Sequence, residues 1–205
     1  QKAASISRAQ LASLHTKAAK TPIAANRSLA IWGKMFSWGA ARGLIPEGNN
    51  PVRGIERYRE QPRERFLTDE ELSRLGAVLE EAETIGLPWE VNETTDKSKH
   101  LAKVENRRTK LDPFVIAAIR LLILTGARLR EVLHAQWHQV DSERGIIFLP
   151  DSKTGRKPIY LSPQAMDVIN GLPKIEGNPY IIAGANEGAP RADLKKPWRS
   201  ICRVA

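Results

Sequence analysis

An arginine and a glutamate three residues apart are the first pair in this 205-residue sequence that could bind an anion. Arg128 follows a Thr-Gly pair that should end one helix, and it precedes a second helix whose N-terminal backbone N–H groups would favour negative charge. Glu131 would lie one turn further on, close enough to orient the guanidinium. The pair predicts an anion site, although an Arg and a Glu at this spacing more often form a surface ion pair.

Lys153 is a second candidate, within a turn-forming run between two short β-rich segments. Its neighbours Ser152, Thr154 and Gly155 are small, so another backbone could approach closely. From such a turn an ammonium group can enter a DNA groove and deliver a proton to a leaving oxygen. The alternative interpretation is an ordinary polar turn, which is the more common case for such a segment in isolation.

The charge distribution favours a polyanionic partner for these cations. The chain has 32 Lys and Arg residues against 23 Asp and Glu, a net charge of +9. Residues 1–52 hold seven basic residues and one acid, and residues 53–65 hold five arginines and three glutamates, whereas residues 66–91 hold one arginine and seven acids. A solvated basic face is the alternative, but the N-terminal concentration favours nucleic acid or another phosphate-rich partner.

Composition also excludes several classes of protein. The single cysteine, Cys202, cannot form an internal disulfide or a cysteine-based zinc site, so we expect a reducing compartment. Arg120 interrupts the longest apolar run, residues 114–124, which is shorter than the roughly 18 residues of a membrane span. We therefore expect a soluble protein with no membrane partner. The chain starts at Gln1 without a signal pattern, so we expect it to begin inside a longer protein.

The N-terminal third predicts two helices followed by a linker. Apolar residues recur at helical spacing over residues 7–20 and 23–44, and Gly43 should stop the second helix. The recurring residues are Leu11, Leu14 and Ala18 in the first helix and Ile31, Met35 and Trp38 in the second. Pro, Gly and Asn then cluster before a charged stretch. We expect a helical domain over residues 1–55 and a basic linker over residues 56–66.

Residues 67–205 predict a second domain of mixed structure. Thr68 and Glu71 form a capping-box pattern for a helix that runs to about Glu83. Asp112-Pro113 should start an apolar helix that Thr125-Gly126 ends.

Helices over residues 127–137 and 162–170 should follow, with a hairpin between them from the β-rich runs 146–149 and 158–161. Residues 92–112 are polar without an apolar period and predict a surface excursion. The expected fold class is mainly α with a small antiparallel β-hairpin or sheet.

Several motifs, in this order, closely resemble the first half of the catalytic domain of tyrosine recombinases of the phage integrase type. The matching residues are the runs 121–133 and 151–156, with Trp137 and Val140-Asp141 between them. Upstream, residues 49–52 and 66–72 match the junction between the helical core-binding domain and the catalytic domain of that family. The resemblance covers essentially the whole chain, with residues 92–110 the exception. It implies a core-binding domain followed by a partial α+β catalytic domain.

The resemblance implies DNA strand cleavage and rejoining without metal, ATP or another cofactor. A tyrosine would attack a DNA phosphate and leave a 3′-phosphotyrosyl link, which a 5′-hydroxyl of a partner strand then reverses. Arg128 resembles the first catalytic arginine, Glu131 the acid that supports it, and Lys153 the hairpin lysine that protonates the leaving 5′-oxygen. The implied partners are double-stranded DNA at attachment sites and further copies of the full-length protein in a tetramer. The implied location is cytoplasmic and nucleoid-associated.

Two parts of that family's site have no counterpart in the 205 residues. No His-x-x-Arg box is present, and Tyr58, Tyr160 and Tyr180 all precede the point at which it would begin. Each tyrosine is more economically explained as a linker, strand or loop residue than as a nucleophile. We therefore expect this chain alone not to cleave DNA. The alternative is a non-catalytic DNA-binding remnant or regulator that retains the fold.

The basic residues of the first domain, linker and hairpin are the candidate DNA contacts, because the resemblance implies helices that clamp DNA. They are Lys17, Lys20, Arg27, Lys34, Arg42, Arg57, Arg59, Arg63, Arg65, Arg156 and Lys157. The large apolar residues among them are expected in the core rather than as platforms for base stacking. These are Trp32, Met35, Phe36 and Trp38.

Two weaker patterns carry no site. His134 and His138 have a helical spacing that could hold zinc, but no third ligand accompanies them in the metalloprotease pattern, so no metal is expected. Residues 154–157 lack the glycine spacing of a nucleotide-binding phosphate loop.

Overall fold

The computed structural model describes residues 5–62, 64–90, 102–150, 155 and 157–205, except for the side chain of residue 157. The chain separates into two units, Gln1–Phe66 and Leu67–Ala205. The described residues are mainly helical, with two small antiparallel sheets, which confirms the expected fold class. None of the described helices combines the length and hydrophobicity needed to cross a membrane.

The first unit is built on helices α1 (Arg8–Lys17) and α2 (Pro22–Ala40). Both are shorter than predicted. α1 starts at a capping box between Ser7 and Gln10, and α2 starts with proline at its first position. α2 ends before Gly43, whose φ of +69° terminates the helical path in the left-handed region. Leu11, Phe36 and Ile45 form the buried cluster of this unit.

The second unit begins with α3 (Asp69–Thr84), which starts as the capping-box pattern predicts. Thr68 Oγ1 accepts a hydrogen bond from the Glu71 N–H at 3.3 Å, and Glu71 Oε2 accepts one from the Thr68 N–H at 3.0 Å. Three acids occupy the first turn, where they complement the helix dipole. Two hydrogen bonds lower the pKa of the Glu70 carboxylate. The larger effect comes from its own backbone and the smaller from the side chain of Thr68.

The core of the second unit is organised around the apolar helix α4 (Pro113–Thr125). Asp112 caps it through a hydrogen bond from the Phe114 N–H to Oδ1 at 2.9 Å, as predicted. Its residues Val115, Ile116 and Ala118 are fully buried. Two further helices contribute to the same core: α6 (Pro163–Asn170), which was predicted, and α7 (Lys195–Val204), which was not.

Two antiparallel sheets complete the second unit. β1 (Leu87–Pro88) pairs with β2 (Arg108–Thr109), and β3 (Val140–Asp141), β4 (Ile146–Leu149) and β5 (Lys157–Tyr160) form a three-stranded sheet. The predicted hairpin is thus confirmed as β4–β5, with β3 added at its edge.

The predicted surface excursion over residues 92–112 is confirmed for its described part, residues 102–112, none of which is buried. Residues 91–101 lie outside the described part, but residues 108–109 form β2. The Arg108 side chain pairs with Glu81 and donates to the Gly86 carbonyl at 2.9 Å. This strand forms through partners distant in sequence, which an apolar period cannot reveal.

Gly86, at the turn from α3 into β1, occupies a position next to the small sheet where a side chain does not fit. Its φ is +97°, and an added Cβ would lie 2.7 Å from the Lys110 nitrogen. Gly86→Ala should therefore destabilise the protein by at least about 1–3 kcal/mol. Gly76→Ala, in the middle of α3 with nothing within 4 Å, should instead stabilise it by about 0.5–1 kcal/mol. Urea unfolding of both variants measures the difference, and equal midpoints would contradict the prediction.

Candidate active site and nucleic-acid interface

Arg128 lies at the short connection between α4 and helix α5 (Leu129–Leu133). α4 ends at Thr125, and Gly126 adopts φ +61° and ψ 14°, the left-handed conformation in which glycine carries no steric penalty. The Thr125 hydroxyl accepts a hydrogen bond from the Ala127 N–H at 3.3 Å. This tight turn places Arg128 at the N-cap of α5, beside the end of α4.

One carboxylate holds both ends of Arg128. Glu131 Oε2 accepts a hydrogen bond from the Arg128 backbone N–H at 3.0 Å, and Glu131 Oε1 accepts one from Nη1 at 2.8 Å. The Glu131 side chain is 8% exposed, whereas that of Arg128 is 51% exposed. The carboxylate is therefore mostly shielded from water while the guanidinium reaches solvent. A guanidinium has five N–H donors, so Arg128 can bind an anion while Nη1 stays on Glu131.

The predicted helix over residues 127–137 is wrong in its extent, because α5 covers only Leu129–Leu133. The backbone beyond it pairs with a distant loop: the Ala135 carbonyl accepts a hydrogen bond from the Ile181 N–H at 2.9 Å. A helix of five residues sums few peptide dipoles. The attraction for an anion therefore rests on the Arg128 guanidinium itself rather than on the helix N-terminus.

The hairpin predicted to carry Lys153 is present, and its register pairs Leu149 with Lys157 at the end nearest the turn. Lys153 and Arg156 lie outside the described residues, and so does the side chain of Lys157. The structure therefore places the two strands that lead into the turn and leaves the three cations as sequence-based candidates.

The hairpin and the Arg128 turn share one packed core. Thr125 from the end of α4, Val132 from α5, Ile147 from β4 and Ile159 from β5 surround a cavity of about 10 Å³. A space this small corresponds to close packing, which transmits strain and resists independent motion. The strands β4 and β5 and the turn that carries Arg128 therefore pack around one core.

The cationic candidates described in the first unit all lie on its surface. These are Lys17, Lys20, Arg27, Lys34, Arg42, Arg57, Arg59 and Arg65, whereas Arg63 lies outside the described residues. Arg27 and Lys34 are two helical turns apart on α2, about 10 Å along its axis, and therefore share a face. The Arg42 guanidinium carbon lies 4.2 Å from the centroid of the Trp38 ring, a cation–π contact.

The expected core placement of the large apolar residues on α2 was only partly right. Phe36 is 3% exposed, and Trp32 packs against the same cluster. Ile31, Met35 and Trp38 are 66%, 48% and 49% exposed, so they lie outside the core. Neighbouring residues on a helix point about 100° apart. The partners of α2 pack on the Phe36 side and leave the adjacent apolar stripe in solvent, interleaved with the cations.

A buried polar cluster of the first unit escaped the sequence analysis. His15 and Asn26 are 5% and 4% exposed, and the segment around Tyr58 packs on them. The available signal was a histidine and an asparagine at helical positions that face the same way as the apolar residues Leu11 and Leu29.

The tyrosines occupy the kinds of position predicted for them. Tyr58 lies in the segment after the helices, Tyr160 ends β5 with 75% exposure, and Tyr180 pairs through its backbone with Gln136 in a loop. Arg130 Nη1 lies 3.0 Å from His134 Nε2. Within the described part of the chain, no three potential metal ligands come together.

Comparison with known proteins finds likeness in structure alone. No family model matches the chain, and no curated protein matches its sequence. A lambda integrase (residues 75–356) dimer bound to a COC′ core site matches with 17% identity and a TM-score of 0.64 over 100% of this chain and 63% of that one. A lambda integrase tetramer bound to a Holliday junction matches with 17% identity and a TM-score of 0.62 over 98% and 52%.

The Tn1549 transposon integrase (residues 82–397), in complex with circular intermediate DNA, matches with 16% identity and a TM-score of 0.55 over 97% of this chain and 64% of that chain. The present chain thus spans less than two thirds of these integrases. The likeness shows that it has their fold, and it confirms the fold expected from the resemblance to tyrosine recombinases.

Removal of the Glu131 carboxylate should destabilise the second unit. Glu131→Ala leaves the Arg128 backbone N–H without its capping acceptor and removes the ion pair. The expected loss in the free energy of unfolding is about 1–3 kcal/mol. Glu143→Ala, at an exposed turn position, should stay within about 0.5 kcal/mol of the wild type. Chemical denaturation of the three proteins measures both effects, and a Glu131→Ala variant as stable as Glu143→Ala would contradict the capping role.

Proposed function

We propose that this chain is the DNA-holding part and the first half of the catalytic domain of a tyrosine-type site-specific recombinase of the integrase class. The observation that carries the proposal is the half-exposed Arg128 guanidinium, tethered by the nearly buried Glu131 carboxylate. This tethered arginine belongs to a chain that has the fold of integrases whose structures were determined with DNA. Arg128 and Glu131 also stand in the sequence run that resembles the arginine motif of that family.

In this proposal Arg128 binds the non-bridging oxygens of the DNA phosphate that is cleaved. Negative charge accumulates on these oxygens as the attacking tyrosine oxygen approaches phosphorus, and a fixed cation stabilises that charge. A planar guanidinium can contact two oxygens at once, which an ammonium group cannot do with the same geometry. The tether to Glu131 holds the arginine in place before the phosphate arrives, so little reorganisation is needed.

Lys153 is proposed to supply the proton for the leaving group. As the tyrosine–phosphorus bond forms, the bond between phosphorus and the 5′-oxygen breaks, and the ammonium proton passes to that oxygen. The product is a 3′-phosphotyrosyl link and a free 5′-hydroxyl. Attack by a 5′-hydroxyl of a partner strand reverses the step and rejoins the DNA. The support for this role is the hairpin β4–β5, which leads into the turn that contains the lysine.

The nucleophilic tyrosine and the second arginine box are proposed to belong to the full-length protein outside these 205 residues. Tyr160 and Tyr180 lie on a strand end and in a loop, and no His-x-x-Arg sequence occurs. By itself the chain is therefore proposed to bind DNA without cleaving it. Self-association as a tetramer on DNA is part of the same proposal, supported by the lambda integrase tetramer on a Holliday junction.

A non-catalytic DNA-binding remnant is the second candidate function. Such a protein would retain the fold and the DNA contacts without the chemistry. The coding sequence that follows residue 205 distinguishes the two. A His-x-x-Arg motif with a later tyrosine supports the recombinase, and a stop codon supports the remnant.

The exposed face of α2 is proposed to contact DNA phosphates through Arg27 and Lys34, together with Arg42 just after the helix and Lys17 and Lys20 before it. The segment that contains Arg57, Arg59, Arg63 and Arg65 would follow the DNA backbone, and Arg156 and Lys157 would add contacts at the hairpin. Two observations support these contacts. The described basic residues among them are exposed, and positive charge is concentrated in residues 1–65. Each phosphate neutralised releases counterions and makes binding more sensitive to salt.

The salt dependence of DNA binding measures these contacts. For a mixed-sequence duplex, the plot of log K against log salt should become less steep by about 1.8 in the Arg27→Gln, Lys34→Gln double variant, since each phosphate contact contributes about 0.9. Arg74→Gln, an exposed arginine on the acidic helix α3, removes one positive charge and should leave the slope unchanged. A double variant with the wild-type slope would show that α2 does not face the phosphates.

Strand cleavage separates the chemical role of Arg128 from DNA binding. On a nicked duplex that traps the covalent intermediate, the 205-residue chain should give no protein–DNA adduct and the full-length protein should give one. Arg128→Ala in the full-length protein should reduce adduct formation at least about 100-fold while DNA affinity changes less than about threefold. Parallel losses of cleavage and affinity would assign Arg128 a structural role, and an adduct formed by the 205-residue chain would refute the proposed division of the site.

A further inference from the structure

We infer that Asn26 is a positioning residue, whose side chain holds Tyr58 so that Arg57 and Arg59 face solvent together as a pair of phosphate contacts. The inference rests on the proposed function, because the phosphates concerned are those of DNA. All of its residues belong to the first unit.

The Asn26 amide binds both backbone groups of one residue. Its Oδ1 accepts a hydrogen bond from the Tyr58 N–H at 3.0 Å, and its Nδ2 donates to the Tyr58 carbonyl at 2.8 Å. Nδ2 also donates to Glu60 Oε1 at 2.8 Å. Asn26 is 4% exposed, so water cannot easily replace these bonds. The Asn26 side chain pairs with the backbone N–H and C=O of Tyr58 as a neighbouring β-strand would. These two bonds restrict the backbone dihedral angles of Tyr58.

The Tyr58 side chain is held as firmly as its backbone. The ring stacks on His15 with centroids 4.3 Å apart and planes inclined by 14°. Its hydroxyl donates to the His15 carbonyl at 3.3 Å. His15 Nε2 lies 3.2 Å from Asn26 Oδ1, and since that oxygen is an acceptor, Nε2 is the donor. Asn26, His15 and Tyr58 thus form one connected cluster, which we call the clasp.

The clasp determines where the flanking arginines lie. The N–H and C=O of one residue point toward the same side when its backbone is extended, as they do in the hydrogen-bonded pairs of an antiparallel ladder. Side chains alternate along an extended chain, so Arg57 and Arg59 lie opposite the Tyr58 ring, with Cα atoms about 6.6 Å apart. Both are exposed. Because the clasp has already ordered the backbone, two phosphate contacts can form with little further loss of backbone entropy.

Asn26→Asp tests the clasp with almost no change in shape. The aspartate keeps the acceptor for the Tyr58 N–H but places an oxygen against the Tyr58 carbonyl and the Glu60 carboxylate. Asn50→Asp is the matched control in the same unit. Asn50 Nδ2 donates to the Gly33 carbonyl at 2.9 Å and to Ser37 Oγ at 3.0 Å. The control therefore loses the same number of donated hydrogen bonds and adds the same charge, and the partners that it loses lie on α2 rather than in the segment of Tyr58.

The measurement is a double-mutant cycle on affinity for a mixed-sequence DNA duplex. Arg57→Gln with Arg59→Gln should weaken binding at least tenfold in the wild type and in Asn50→Asp, but less than threefold in Asn26→Asp. A loss of the same size in all three backgrounds overturns the inference and leaves the proposed function intact. A wild-type chain without salt-dependent binding overturns the proposed function, and this inference with it.

Trypsin cleavage after Arg57 and Arg59 provides a readout that needs no DNA. Mass spectrometry should show cleavage at these two sites at least tenfold faster in Asn26→Asp than in the wild type, with other sites and the Asn50→Asp control unchanged. Unchanged cleavage at the two sites would overturn the inference. A uniform rise at all sites would also overturn it, because Asn26 would then support the whole unit rather than position this segment.

Discussion

The Glu131 carboxylate is the group on which the candidate active site depends. At 8% exposure it has lost most of its hydration, and a carboxylate in that position is stable only when it is paired and hydrogen-bonded. Arg128 supplies two such partners, its backbone N–H and its guanidinium. The same two bonds therefore cap α5, close the turn after α4 and orient a cation that is half exposed to solvent.

The packed core next to Arg128 and Glu131 helps to keep the Arg128 guanidinium in one orientation. Leu133 of α5 is fully buried, and so are Ile181 and Ile182 in the loop whose backbone pairs with the end of that helix. Close packing of this kind keeps side chains in single positions, because any shift costs contacts with several neighbours. A site carried on such a frame is more constant in geometry than one carried on a free loop.

The first unit is stabilised by a small apolar core and a buried hydrogen-bond network. Its buried apolar residues, among those described, are Leu11, Ala25, Leu29, Phe36 and Ile45, and a core this small contributes limited stabilisation. A hydrogen-bonded polar network supplements it, since hydrogen bonds in a water-poor environment are strong and specific in direction. The network around Asn26 fixes one segment of chain, and the exposed face of α2 combines cations with apolar side chains. Both features are what the proposed contact with DNA phosphates would require.

Local signals in the sequence were sufficient for the helix starts at Thr68, Asp112 and Ser162, for the hairpin and for the mainly α fold class, because a cap or a turn depends on residues within a few positions. The sequence also singled out Arg128 and Glu131 as a pair. Only the tertiary structure decided how far α5 extends, which face of α2 is buried, and that Asn26 meets a segment 32 residues away. Each of those outcomes depends on which backbone or side chain from a distant part of the sequence packs against the residue concerned. A local sequence pattern does not contain that information.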